Sequence, residues 1–126
     1  MNLKVYLAVG LGGMIGATGR YGLSGVWAGS GFPFGTLAAN LIGCFLLGYL
    51  IHNSRLRERL GSIMVSGLGT GMIGAFTTFS TFSVETVRLF DKSITLAAGY
   101  VLISLFGGLG LSYVSSQLAK RKQAVS

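Results

Sequence analysis

The chain has 126 residues, 51% of them hydrophobic and only 10% charged, whereas a soluble domain carries about 25% charged residues. With a mean hydropathy of +0.67 and so little charge to spread over its surface, it is suited to lipid rather than water. Three acidic residues and one cysteine argue against paired-carboxylate catalysis, an internal disulfide and a thiolate metal site, and 21 glycines without a triplet period are not collagen.

A helix crosses a bilayer with about 20 apolar residues. The first such run is 3–22, with Lys4 able to snorkel at one end and Arg20 near the other. It lacks a clear small-residue cleavage site and reads as a retained helix rather than a signal peptide. Ala8, Gly12 and Gly16 recur every four residues in it, a stripe on which a second backbone can approach closely. The second run, 32–51, has no charge. Thr36 and Asn40 share one of its faces. A carboxamide is costly against lipid, so Asn40 is expected to face a partner or a polar cavity. Cys44 reads as a small packing residue and His52 as an interfacial one.

The third run, 60–84, carries another small-residue stripe, Gly67, Gly71 and Ala75, and then GAFTTFSTF at 74–82. Phe76, Phe79 and Phe82 stand at every third position with Thr77, Thr78, Ser80 and Thr81 between them. Glycines loosen a helix, and Thr and Phe are mediocre helix formers. Two readings stay open. The helix breaks near Gly74 to Thr78, leaving carbonyls that must be buried, wetted or bound to a small cation. Otherwise it is a continuous glycine-rich helix with the phenylalanines as packing.

The fourth run, 93–118, places Tyr100, Ser104, Gly108, Ser112 and Ser116 four apart. Each step of four drifts by about 40°, so the set forms one slowly winding stripe. The bland alternative is that each hydroxyl bonds back to the preceding turn of its own helix. Glu85 and Arg88, three apart beyond the third run, read as a local ion pair.

Four spans put both termini on one side. That side collects Lys4, Arg55, Arg57, Arg59, Lys120, Arg121 and Lys122, against Arg20, Arg88 and Lys92 on the other, a bias towards cytoplasmic termini. The net charge of +7 therefore lies at membrane flanks, not on a nucleic-acid-binding face. No linker or separate soluble domain interrupts 1–126.

GGMIGATGRY (12–21), GTLAANLIGCFLLG (35–48) and GAFTTFSTFSVE (74–85) closely resemble the Fluc, or CrcB, family of bacterial fluoride channels, and the likeness covers essentially the whole chain. The resemblance implies an all-α integral membrane protein with four transmembrane helices per subunit. It implies a third helix broken mid-membrane and an antiparallel, dual-topology homodimer with two pores. It implies passive, fluoride-selective export across the bacterial cytoplasmic membrane, and no enzyme activity. The partners implied are an identical inverted subunit, fluoride ions and membrane lipid. A non-transported sodium ion would sit at the dimer centre on the backbone carbonyls of Gly74 and Thr77. Phe79 and Phe82 match the pore phenylalanines, Asn40 the span-two asparagine, Tyr100 and Ser104 the polar track, and Arg20 the vestibule arginine. Gly108 departs from the Ser or Thr frequent at its place. The uneven flanking charge departs from the balance that eases dual insertion.

A bare anion entering a low-dielectric medium costs tens of kcal/mol. The edges of Phe79 and Phe82 contribute about 1 kcal/mol each. Most replacement solvation must come from Asn40, Ser80, Thr81, Tyr100, Ser104 and retained water. A proton-coupled multidrug transporter of four spans would need an acidic residue in the first run, which has none. A purely structural subunit leaves the polar stripe without a purpose.

Overall fold

The protein is described here by a computed structural model covering residues 2–125. In order, its elements are α1 (Leu3–Val26), α2 (Phe34–His52), α3 (Ser54–Ser66), a π-helical segment (Gly67–Ile73), a single turn α4 (Gly74–Phe76), α5 (Ser80–Lys92) and α6 (Ile94–Val125). No strand occurs among the described residues. The Asn2 side chain starts α1 by accepting the Lys4 amide at 2.7 Å. Asn53 does the same for α3, accepting from the Leu56 amide at 3.0 Å. Inside α3, Gly61 takes φ +83°, a value other residues rarely adopt, and turns the charged first half away from the apolar second half.

Among the described residues, three stretches are both long and apolar enough to cross a membrane: Phe34–His52, Ser54–Lys92 and Ile94–Val125. The expected first span forms a helix of 24 residues but is not among them. Its seven glycines add length without apolar surface, and two of them, Gly12 and Gly16, are held in close backbone contact.

Those glycines explain the core. α1 lies along the π-helical segment, and α2 along α6. A methyl group on Gly12 would collide with the Gly67 carbonyl, and one on Gly16 with the Met72 carbonyl. The small-residue stripe of the first run thus meets the glycine-rich part of the third, backbone against backbone. In lipid, such close van der Waals contact drives helix association where the hydrophobic effect is absent. Large apolar side chains such as Leu7, Leu11, Met14 and Phe106 point outwards. A small buried cluster of Leu89, Ala97 and Tyr100, flanked by Phe32, Leu37 and Phe82, closes the far end.

At the opposite end, the Ser54 hydroxyl donates to Gln123 Oε1 at 2.8 Å, and Gln123 Nε2 donates to the His52 carbonyl at 2.6 Å. This staple brings the Arg55–Arg59 segment and Lys120–Lys122 to one end of the bundle. The His52 ring turns back onto the Gly48 carbonyl of its own helix, 2.8 Å away.

Candidate functional site

The helical course stops after Phe76. Thr77 is extended, with φ −85° and ψ 159°, and helix resumes only at Ser80. In a continuous helix the Thr78 amide would donate to the Gly74 carbonyl. Here it donates to Asn40 Oδ1 at 2.8 Å, while Asn40 Nδ2 donates to the Thr78 carbonyl at 2.9 Å. The Ala75 carbonyl, deprived of its helical donor, accepts from Arg20 Nε at 3.1 Å. The Thr81 amide goes to Thr78 Oγ1 at 3.2 Å, so Thr78 caps the helix that follows. Asn40 and Arg20, from α2 and α1, therefore replace part of the hydrogen bonding that the interruption forfeits. No main-chain amide among the described residues reaches the carbonyls of Gly74 or Thr77. The Gly74 oxygen has only the Thr77 hydroxyl at 3.4 Å, at the limit of a hydrogen bond.

Beside the interruption lies a cavity of about 570 Å³. Asn40, Gly74, Thr77, Phe79, Phe82 and Ser104 all line it. The Phe79 ring is 80% exposed and its centroid stands 5.9 Å from that of Phe82. Phe82 in turn lies 5.1 Å from Tyr100, which meets Phe32 edge-on at 5.5 Å. The Ser104 hydroxyl is buried and has no hydrogen-bond partner among the described residues. Such a group costs about 1–3 kcal/mol unless something fills its need.

The four-residue stripe of α6 divides into different fates. Ser116 bonds back to the Tyr113 carbonyl, and Ser112 crosses to the Cys44 carbonyl at 3.3 Å. Gly108 abuts the Cys44 sulfur. Back-bonding also accounts for Thr18, Ser83 and Thr86. Ser104 alone in the stripe has its hydroxyl buried without a partner.

Arg20, Ser80, Thr81 and Tyr100 do not line the cavity. Ser80 is exposed, its hydroxyl 3.4 Å from Thr78 Oγ1, and Thr81 is half-buried. Tyr100 is fully buried and donates its hydroxyl to Glu85 Oε2 at 3.3 Å. Glu85 also accepts from the Thr36 hydroxyl at 2.8 Å. The expected Glu85–Arg88 pair is therefore not formed: the carboxylate turns inward to two hydroxyls instead. Glu85 and Thr78, which sequence reasoning named only as half of a local ion pair and as part of the hydroxyl cluster, are site residues it did not assign. Thr36 sits one turn before Asn40 on α2, but nothing in the sequence pairs it with Glu85, 49 residues away.

A family model described as "CrcB-like protein, Camphor Resistance (CrcB)" matches residues 7–116. The "Fluoride-specific ion channel FluC" of Oceanobacillus iheyensis is 51% identical over 120 residues, covering 93% of this chain and 92% of its own. The "Fluoride-specific ion channel FluC 2" of Listeria innocua is 47% identical over 106 residues, 82% of this chain and 81% of its own. The "Fluoride-specific ion channel FluC 1" of Bacillus thuringiensis subsp. konkukian is 44% identical over 130 residues, 97% and 94% respectively.

Proposed function

Because the chain belongs to the CrcB family of channels, and not to a family of enzymes, we propose that it conducts fluoride passively out of the bacterial cytoplasm. The cavity beside the interruption in the third span is the middle of the path. The observation that carries this reading is the buried, unpartnered Ser104 hydroxyl facing a cavity that Phe79 and Phe82 also line.

Fluoride is small and strongly hydrated, so it needs compact donors in place of water. Ser104 offers one hydroxyl. Asn40 spends one amide hydrogen on the Thr78 carbonyl and keeps the other for an anion. Phe79 and Phe82 set the width and turn positive ring edges inward, each worth about 1 kcal/mol. Ser80, Thr81 and Tyr100 act further along, with Tyr100 fixed by Glu85. Several weak sites in series let the ion leave as well as enter. Arg20, tied by one nitrogen to the Ala75 carbonyl, adds positive potential at the vestibule.

The functional unit is two identical subunits inserted in opposite directions, with two antiparallel pores in the cytoplasmic membrane. The exposed Phe79 ring beside the interruption supports this, since a second subunit covers it. The Gly74 and Thr77 carbonyls, lacking main-chain donors, fit a hard monovalent cation such as sodium, which takes oxygen ligands. When bound, that ion supplies fixed positive charge at the centre of the dimer.

Ser104→Ala tests the site directly. A hydrogen bond to a charged group is worth about 1.5–3 kcal/mol, so fluoride efflux from liposomes falls roughly ten- to hundredfold. Ser116→Ala, which removes a hydroxyl bonded to its own helix, leaves efflux unchanged. Equal efflux from wild type and Ser104→Ala overturns the assignment.

A further inference from the structure

A second cavity, of about 360 Å³, lies among the C-terminal half of α2, α3 and the π-helical segment. Its polar lining is Arg57, Ser66 and Thr70. Leu47 and Gly69 line it too, and both also line the larger cavity that holds Ser104. The two chambers abut at that pair, and the second opens at the basic end of the bundle where the Ser54–Gln123 staple gathers Lys120–Lys122.

Two features of the lining favour an anion, and a third, outside it, shapes the approach. The Arg57 guanidinium is exposed and has no partner among the described residues. Among the described residues the half-buried Ser66 hydroxyl and that of exposed Thr70 have no hydrogen-bond partner either, whereas Thr18, Thr77, Ser83 and Thr86 each bond back to their own helix. Gly61, at φ +83°, is the bend that lets the Arg57 segment double over the chamber mouth.

We propose that this chamber is a second anion vestibule, with Arg57 as a collecting residue and Ser66 and Thr70 as hydroxyl steps towards Leu47 and Gly69. It rests on the fluoride-channel reading and extends it: the path leaves the Ser104 cavity at the end of the bundle opposite Arg20. A guanidinium at a low-dielectric mouth raises local anion concentration by through-space attraction, an effect that salt screens. It is a positioning role, since Arg57 need not touch the ion in the pore.

The test is fluoride efflux from liposomes holding purified wild type, Arg57→Gln, Arg57→Lys, Arg88→Gln and a Ser66→Ala/Thr70→Val double variant. Each is run in an impermeant salt at about 10 mM and about 1 M, where the screening length falls from about 30 Å to about 3 Å. Arg57→Gln is expected to lose about tenfold at low salt, within the range of electrostatic steering, and to come within twofold of wild type at high salt. Arg57→Lys keeps most of the low-salt rate, and Arg88→Gln, with the same charge removed elsewhere, matches wild type. The double variant loses about as much as Arg57→Gln but at both salt concentrations, and it carries the test if Arg57→Gln does not fold. Wild-type efflux that Arg57→Gln equals at low salt, that Arg88→Gln lowers equally, or that the double variant leaves intact overturns the vestibule. Absence of wild-type fluoride efflux would instead overturn the channel reading beneath it.

Discussion

Asn40 grips Thr78 by both of its main-chain groups, accepting from the amide at 2.8 Å and donating to the carbonyl at 2.9 Å. This is the pairing one strand offers another, made here by a side chain from a neighbouring helix. It satisfies, across α2 and the third span, two groups that a helix interruption would leave orphaned where water is scarce.

Removing that grip is costly. Asn40→Ala leaves a part-buried amide and carbonyl unpaired, at up to about 1–3 kcal/mol each. Asn40→Asp keeps the acceptor for the Thr78 amide but sets a carboxylate against the Thr78 carbonyl. The expected order of unfolding midpoints in detergent is wild type, then both variants well below. A midpoint for Asn40→Ala within error of wild type would show that the interruption needs no clamp.

The ring pair makes a separable prediction. Phe79→Ile and Phe82→Ile keep bulk and apolarity but lose the ring edge. Each is expected to reduce fluoride efflux sharply while the purified protein elutes unchanged on size exclusion. Normal flux through either variant removes the rings from the mechanism.

Tyr100 combines packing with one long hydrogen bond. Tyr100→Phe keeps the contacts with Phe82 and Phe32 and loses only the 3.3 Å bond to Glu85, so stability falls by about 1 kcal/mol. Tyr100→Ala empties a fully buried site and costs about 3–5 kcal/mol. Denaturation in mixed micelles distinguishes them, and equal losses would contradict a packing role for the ring.

Backbone contact predicts a contrast among glycines of one helix. Gly12→Ala and Gly16→Ala drive a methyl into the carbonyls of Gly67 and Met72, whereas Gly10→Ala meets open space. The first two are expected to lose folded yield or about 1–3 kcal/mol of stability, typical of overpacking. Gly10→Ala is expected to match wild type or improve slightly through helix propensity. A destabilised Gly10→Ala beside an intact Gly12→Ala would reverse the packing proposed for α1.

Much of this was legible in residue order alone. Helical runs, the small-residue stripes and the need of Asn40 for a polar partner follow from period and burial cost, and the helices and contacts agree with them. The boundaries were less legible. Span three was drawn from residue 60, and nothing in its apolar run announced that Asn53 caps a preceding charged stretch from Ser54, bent off at Gly61. Span one was drawn on its apolar run, with its small-residue stripe already read as a contact face, yet its helix is not among those apolar enough to cross a membrane. Pairings between distant elements were the least legible. Glu85 looked towards Arg88 along its own helix, but Thr36 and Tyr100 reach it across two others, and no local period encodes that meeting. The stripe of α6 was visible, but which hydroxyl lacks a partner depends on where α2 and the interruption lie.

The most direct measurement is efflux of fluoride and of chloride, by ion-selective electrode, from one preparation of liposomes containing the purified chain. The account predicts rapid fluoride release on collapse of the opposing potential and chloride release no faster than from protein-free liposomes. Fluoride release at the protein-free rate, or chloride release equal to it, would contradict the account.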